Sequence, residues 1–332
     1  MRNHKILLLI LLLLPGSQLL FAQQFPLSSH YIFNNYSLDP GFAGIHANGE
    51  AFFNYRKDWA SINGSPTTIR ANGFGMIRPQ MYLGGELLND KTDIFNRFRA
   101  KLNYTYSLQL ADIQYLNFSV WGSLFQSSIN LDAINADPDD PVFKDKSKLN
   151  STNLNAGFSL VYNRNSFTVG FAMPTLFRTK DAYLNEASGN FSFEKEMMFH
   201  ISDRFALNSD WQLQPFFVWS RTNNMPSVID LSATVFYIEK YWFSLLYRNS
   251  ALLAVGVGGE LYKGLSMAYT YEIGLGGINS RSGGAHEISI GFRFGEKEEG
   301  SGKHIKSKKS NFSGRSGRIY PQPTEFEYRR TK

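Results

Sequence analysis

Histidine is the side chain best suited to acid–base chemistry near neutral pH, and the 332-residue chain contains six. His200 alternates with Glu196, Ser202 and Arg204, which predicts that the four share one face of a strand. A hydrolase needs a nucleophile, a base and an orienting acid within hydrogen-bond reach. Ser202 is too far from His200 for a direct bond along a strand, and no Gly-x-Ser-x-Gly sequence occurs. We therefore predict a polar lining, no enzyme and no cofactor.

Metal-binding patterns are equally sparse. The chain has no cysteine and no His-Glu-x-x-His sequence. One long loop carries aspartates whose spacing does not match a calcium loop, so a solvated acidic loop is the simpler interpretation. These are Asp132, Asp137, Asp139, Asp140 and Asp145. Gly256, Gly258 and Gly259 precede no predicted helix, which argues against a phosphate-binding loop and favours close packing in a sheet.

Residues 1–22 have the organisation of a secretory signal peptide. Arg2 and Lys5 form a basic start, an apolar run follows, and the small residue Ala22 precedes Gln23. We predict cleavage after Ala22. No run of about 18 apolar residues recurs, so no transmembrane helix is expected. Without cysteine the exported chain has no site for lipid attachment and no disulfide.

The rest of the chain alternates between apolar and polar residues, as the segment EISIGFRF illustrates. One face would carry Ile288, Ile290, Phe292 and Phe294, and the other Glu287, Ser289, Gly291 and Arg293. About fourteen such segments lie between residues 47 and 294, each near the ten residues that a tilted membrane strand needs. The pattern predicts an all-β fold, a transmembrane antiparallel β-barrel of about 14 strands with a polar interior.

The predicted connections give an independent test. Every second link is a tight turn, such as residues 78–80, 111–113 and 163–165, whereas the links between them are mostly longer. Short turns at one rim and longer loops at the other are the outer-membrane arrangement. We therefore predict residence in the cell outer membrane, with residues 23–46 as a segment before the barrel.

Much of the net charge of +6 lies in residues 295–332, which are rich in Gly, Ser, Lys and Arg. We predict a disordered basic tail on the periplasmic side. Its cations are candidates for contact with a periplasmic partner, although a merely solvated tail is the alternative. They include Lys306, Lys308, Lys309, Arg315 and Arg318. Nucleic acid is not an expected partner, because a signal peptide directs the chain away from it.

The segment HYIFNNYSLDPGFAGIHANG resembles the N-terminal signature of the PorP/SprF family, outer-membrane proteins of the type IX secretion system in the Bacteroidetes. The signature positions are Tyr31, Asn34, Asp39, Pro40, Gly41, Phe42, Ala43 and Gly44. Asp39 replaces the usual Asn, and Gly41 replaces Ala. The segments NYRKDWASINGSPTT, through Arg56 and Trp59, and YLGGELLND resemble later family elements.

The resemblance implies a 14-stranded, non-enzymatic barrel that helps to export or attach large surface proteins, often adhesins, through their C-terminal sorting domains. Some relatives support gliding motility, and periplasmic or peptidoglycan-associated secretion components are implied partners. We therefore hypothesise partner contacts at the matched residues and the tail. The matched residues are Tyr31, Asn34, Asp39, Pro40, Phe42, Gly44, Arg56 and Trp59.

The Asp-Pro-Gly sequence is a turn former that could tuck Tyr31 and Phe42 against the barrel mouth or lumen, or form a capped turn without a partner. Arg56 and Trp59 would contact a substrate or stabilise the outer rim.

A passive porin-like or hydrophobic-solute channel remains the alternative function. Arg97, Arg99 and Lys101 would then form an anion-attracting lumen. In a plugged interior they would instead pair with Glu260, Glu272 and Glu287.

Overall fold

The computed structural model describes residues 28–131, 148–180, 192–276 and 283–295. The predicted signal peptide, the five tail cations and the aspartates of the acidic loop lie outside these ranges. Within them, no helix is long and apolar enough to cross a membrane.

The described residues form one closed ring of antiparallel strands, which we number β1 to β14 along the chain. Each strand pairs with its sequence neighbours, and β14 pairs with β1 over Gly49↔Phe294 to Asp58↔Ala285. The strands are Gly49–Asp58, Thr67–Arg78, Met81–Thr92, Phe95–Ala111, Gln114–Asn130, Lys148–Arg164, Phe167–Thr175, Glu196–Ser202, Trp211–Thr222, Val228–Tyr237, Tyr241–Arg248, Leu252–Tyr262, Leu265–Gly274 and Ala285–Phe294. The predicted 14-stranded β-barrel is confirmed.

Short pairings supplement the ring. Phe205–Ala206 pairs with Gln212 and Leu213 near the start of β9. Thr179–Lys180 pairs with Ser192–Phe193 in a separate two-stranded sheet.

Alternate side chains of each strand point to the outside and to the inside of the barrel, as the sequence predicts. Along β14, Ile288, Ile290 and Phe292 are exposed on the outside, whereas Glu287 and Ser289 are buried inside. An apolar exterior around a polar interior is the inverse of a soluble sheet and suits a barrel in lipid.

The two rims differ in their connections. One rim has short links at residues 79–80, 112–113, 165–166, 238–240 and 263–264, and residues 203–210 form a longer link there. Residues 48 and 295 also meet at this rim, where the Asn48 N–H donates to the Gly295 carbonyl at 3.4 Å. The opposite rim carries the longest connections, 131–147 and 176–195, but also the tight link 93–94. Short turns identify the first rim as periplasmic and the second as the outer rim.

Residues 28–47 lie inside the barrel, and we call them the plug. They contain 3-10 turns at His30–Ile32 and Pro40–Phe42 around a short α-helix, Asn35–Leu38. The Asn34 side chain caps this helix by accepting from the Ser37 N–H at 3.1 Å. Such short turns are unstable alone in water, so contacts with the barrel wall must stabilise them.

Candidate functional site

The plug crosses the lumen and contacts strands on all sides of the ring. Asn34 Nδ2 donates to Asn72 Oδ1 of β2 at 2.9 Å, and Tyr31 Oη donates to Asp230 Oδ2 of β10 at 3.0 Å. Between these, Asn117 Nδ2 of β5 donates to the carbonyl of Gly41 at 2.7 Å. A barrel of fourteen strands is wider than the eight-stranded barrels whose side chains alone fill the interior. The plug therefore occupies space that would otherwise be open.

A buried charge cluster holds the start of the plug toward the outer rim. Arg56 binds Glu272 through both terminal nitrogens at 2.6 Å, and it also contacts Glu287 at 3.3 Å and Asp58 at 2.5 Å. The backbone N–H of Ser29 donates to Glu287 at 3.1 Å. We call Arg56, Glu272, Glu287 and Asp58 the outer latch. Carboxylates outnumber the single guanidinium, so donors from the plug help to satisfy their oxygens.

His30 follows this contact and lies among polar wall residues. Asn54 Nδ2 is 3.3 Å from His30 Nδ1, and the Ser289 hydroxyl also hydrogen bonds to that nitrogen. Burial lowers the pKa of His30 below its ordinary value, against the opposing attraction of Glu287 and Glu272. A neutral ring with Nδ1 as acceptor agrees with both contacts.

Asp39 and His200 form a second buried contact. Asp39 Oδ1 caps the following 3-10 turn by accepting from the Gly41 N–H at 2.7 Å, and Oδ2 lies 3.0 Å from His200 Nε2. Both residues are fully buried. The Phe42 ring stacks on the His200 imidazole at 4.9 Å. The Asp39 carboxylate thus faces a histidine of the barrel wall, on β8.

Two glycines allow the plug to approach the wall. A Cβ at Gly41 would lie 2.5 Å from Val161, and one at Gly44 would lie 2.1 Å from the Tyr82 ring. Gly44 also has φ +78°, a conformation that favours glycine. An alanine at position 41 would therefore crowd the barrel wall.

Aromatic side chains complete the packing. Phe33 stacks on Trp242 at 5.1 Å and meets Phe52 edge-on at 5.3 Å. Tyr31 meets Phe216 edge-on at 5.5 Å. The predicted tucking of Tyr31 and Phe42 takes place in the lumen.

The lumenal cations on β4 have a different partner from those predicted. Arg99 contacts Glu86 at 2.5 Å and Lys101 contacts it at 3.8 Å, while Arg70 approaches it at 3.6 Å. Glu272 and Glu287 belong to the outer latch, and Glu260 accepts from the Gly264 N–H at 3.1 Å. The alternative in which Arg99 and Lys101 pair with these three glutamates is therefore wrong. Glu86 lies on β3, directly opposite Lys101 in register, and needs no contact across the ring.

A cavity of about 130 Å³ lies where the plug meets the wall near the periplasmic rim, and we call it the periplasmic cavity. Plug residues Phe42 and His46 line one side. The wall contributes side chains with hydrogen-bonding groups, including Arg204, Gln212, Gln214 and Glu239. The alternating sequence pattern predicted that Arg204 lies on the lumenal face, but it did not predict the cavity. In the described ranges, no group of three or more His, Asp or Glu side chains is placed to hold a metal ion.

The structure separates the residues matched by sequence into two environments. Those of the plug and β1 are buried in the lumen: Tyr31, Asn34, Asp39, Pro40, Phe42, Gly44 and Arg56. Trp59 follows β1 at the outer rim and is 40% exposed. Sequence reasoning missed the wall residues that hold the plug, such as Asn72, Asn117 and Asp230, because polar lumen residues recur on every strand.

Solved structures that resemble this chain are outer-membrane barrels at low identity. The Ralstonia pickettii toluene transporter TbuX is 11% identical, with a TM-score of 0.49 over 78% of this chain and 93% of its own. The monoaromatic hydrocarbon channel CymD is 10% identical, with a TM-score of 0.49 over 84% and 96%. The Acinetobacter baumannii outer membrane protein Omp33 is 8% identical, with a TM-score of 0.44 over 76% and 100%. Values this low carry no inference about ligands.

No curated protein matches the chain. The family model described as type IX secretion system membrane protein PorP/SprF matches residues 20–292, which is most of the chain. The chain is therefore an outer-membrane β-barrel that belongs to the PorP/SprF family of type IX secretion system membrane proteins.

Proposed function

We propose that the protein is a non-enzymatic outer-membrane component of the type IX secretion system that helps large proteins, such as adhesins, to reach or attach to the cell surface. It does so by binding their C-terminal sorting domains, and gliding motility is one process that it would serve. Family membership supports this proposal.

The observation that carries the proposal is the plug. Its side chains hydrogen bond to β2, β5 and β10, and its outer end lies against the outer latch. A lumen occupied by the protein's own chain is poorly suited to passive solute flow. A closed barrel instead offers its two rims as surfaces on which other proteins can dock.

The candidate contact residues differ in how a partner would reach them. Trp59 is exposed at the outer rim and would contact a partner directly. The matched plug residues and Arg56 are buried, so they would act by holding the plug and the rims in shape. The tail residues Lys306, Lys308, Lys309, Arg315 and Arg318 are proposed to contact an acidic periplasmic or peptidoglycan-associated secretion component.

Two deletions test the proposal. Removing the gene from the source bacterium should abolish surface display of a client protein that carries a C-terminal sorting domain. Full display in its absence would contradict the function. Removing residues 295–332 should leave membrane insertion intact while weakening co-purification of the periplasmic partner. Unchanged recovery of that partner would eliminate the role of the tail alone.

A further inference from the structure

Two lysines lie on the lipid-facing side of the barrel near the outer rim. Lys57 of β1 and Lys91 of β3 both pair with Thr67 of β2, so the three residues form one row across neighbouring strands. We call them the basic row. Along their strands the lysines alternate with the buried residues Arg56 and Asp90, which places them on the outside. Neighbouring strands are about 4.8 Å apart, so the Cα atoms of the two lysines are about 10 Å apart.

The basic row has no opposite charge beside it on the outside of the barrel. Lys57 Nζ donates to Thr67 Oγ1 at 3.4 Å, and neither lysine forms a salt bridge within the described ranges. The outward-facing residues of β1, β2, β3 and β14 include no Asp or Glu, because the carboxylates of these strands face the lumen. Two neighbouring ammonium groups repel each other, and an anion between them would turn this repulsion into attraction.

The basic row lies at the depth of the lipid head groups. Tyr55 and Tyr269 are exposed one level deeper on the same side of the barrel. Tyrosines in this position mark the boundary between the hydrocarbon core and the head groups. The outer rim faces the cell exterior, so these head groups belong to the outer leaflet. In bacterial outer membranes that leaflet contains a phosphorylated glycolipid, lipopolysaccharide, whose membrane anchor is lipid A.

The wall beneath the basic row has room for an acyl chain. Five neighbouring outward-facing positions there carry no side chain larger than a methyl group: Ala51, Ala71, Gly73, Gly75 and Gly85. The exposed side chains of Phe53 and Leu87 lie on either side of Ala71 and border this depression. Ala71 is four residues from Thr67, about 13 Å along the strand, which is within reach of an acyl chain whose head group lies at the row.

We propose that the basic row binds a phosphate group of lipid A and that an acyl chain of the same molecule packs in the depression. The ammonium groups of Lys57 and Lys91 donate to the phosphate oxygens from two sides, and the Thr67 hydroxyl donates between them. Asn89 lies one level below Lys91 on the same face, where its amide donates to the sugar or to an acyl carbonyl. This inference goes beyond the proposed function, because it concerns the lipid around the barrel and not the exported protein.

The test measures lipid binding to the full chain in detergent by native mass spectrometry. The three probes are phosphorylated lipid A, the same lipid A after removal of its phosphates, and phosphatidylglycerol. We expect phosphorylated lipid A to bind about tenfold or more tightly than the dephosphorylated form, since charge-assisted hydrogen bonds are lost with the phosphate. Equal affinity for these two forms would overturn the proposal. Equal affinity for phosphatidylglycerol would overturn the assignment to lipid A.

Matched double variants assign the effect to the basic row. Lys57→Gln combined with Lys91→Gln should abolish the preference for phosphorylated lipid A. Lys240→Gln combined with Lys263→Gln removes the same charge from exposed lysines at periplasmic turns and should leave the preference intact. A folded Lys57→Gln and Lys91→Gln protein that keeps the preference would overturn the proposal.

A further variant tests the depression. Ala71→Phe fills it without reaching the basic row, so it should weaken the binding of both forms of lipid A about fivefold and leave the phosphate preference unchanged. Wild-type affinity for lipid A in this variant would overturn the placement of the acyl chain.

Discussion

The side chain of Asp39 makes two hydrogen bonds, and substitutions can show whether these bonds depend on its negative charge. Its carboxylate caps the Gly41 N–H and accepts from the buried His200. Asp39→Ala removes both contacts and should destabilise the docked plug by about 2 to 4 kcal/mol. Hydrogen exchange of the plug amides, followed by mass spectrometry, measures this opening free energy.

Asp39→Asn is the matched control. It keeps an oxygen for the Gly41 N–H, and its amide can donate to the other tautomer of His200. The expected loss is about 1 kcal/mol or less. If both variants exchange at the wild-type rate, the Asp39 contacts do not hold the plug.

Gly44 tests the close approach of plug and wall. An alanine there would combine φ +78° with a Cβ at 2.1 Å from the Tyr82 ring. We expect Gly44→Ala to weaken plug docking by about 2 to 4 kcal/mol in the same exchange measurement. Adding Tyr82→Ala should restore part of the loss, because it creates room but leaves the backbone strain.

The control for this prediction is Gly75→Ala on β2. A Cβ at Gly75 meets nothing within 4 Å, so plug exchange should not change. Wild-type exchange in Gly44→Ala would show that the turn tolerates a side chain.

At the scale of a strand, the free-energy cost of a charge on the lipid-facing side depends on its depth in the membrane. Ile290 lies in the middle of β14 on the exterior face, and Phe294 lies on the same face at the periplasmic end. Ile290→Lys should destabilise the inserted barrel by about 2 to 4 kcal/mol and Phe294→Lys by about 1 kcal/mol or less. Denaturant titration of the protein folded in lipid vesicles measures both. Equal costs would contradict the assigned membrane depth.

Strands and faces could be predicted from sequence because alternation is local. The inward and outward residues of β14 follow directly from a period of two. The partners of Arg99 and Lys101 could not be predicted. The alternating pattern shows which face of the strand a residue lies on, but not which residue of the adjacent strand it contacts. The structure places Glu86 on the adjacent strand, where register alone brings it into contact.

The plug was predictable from the sequence only in part. Its turn was predictable from the Asp-Pro-Gly sequence, since proline and glycine restrict the backbone locally. Its docking depends on pairs far apart in the chain, such as Asp39 with His200 and Tyr31 with Asp230. No local pattern marks these wall residues, because polar side chains line the whole lumen.

At the scale of the whole molecule, we expect the plug to determine whether the barrel conducts. A 14-stranded ring lies between small filled barrels and wide porins, so its interior would hold water if the plug were absent. In planar bilayers the wild-type protein should show no stable open conductance. Deleting residues 28–47 should produce a steady open pore, and Asp39→Ala should produce brief openings as the plug undocks.

The controls fix the interpretation of these recordings. Trp59→Ala changes only the outer rim and should conduct like the wild type. A steady wild-type conductance equal to that of the deletion variant would mean that the plug does not seal the lumen, and passive transport would then be the better reading of the barrel. If the deletion variant does not conduct, the connections at the outer rim, and not the plug, close the lumen.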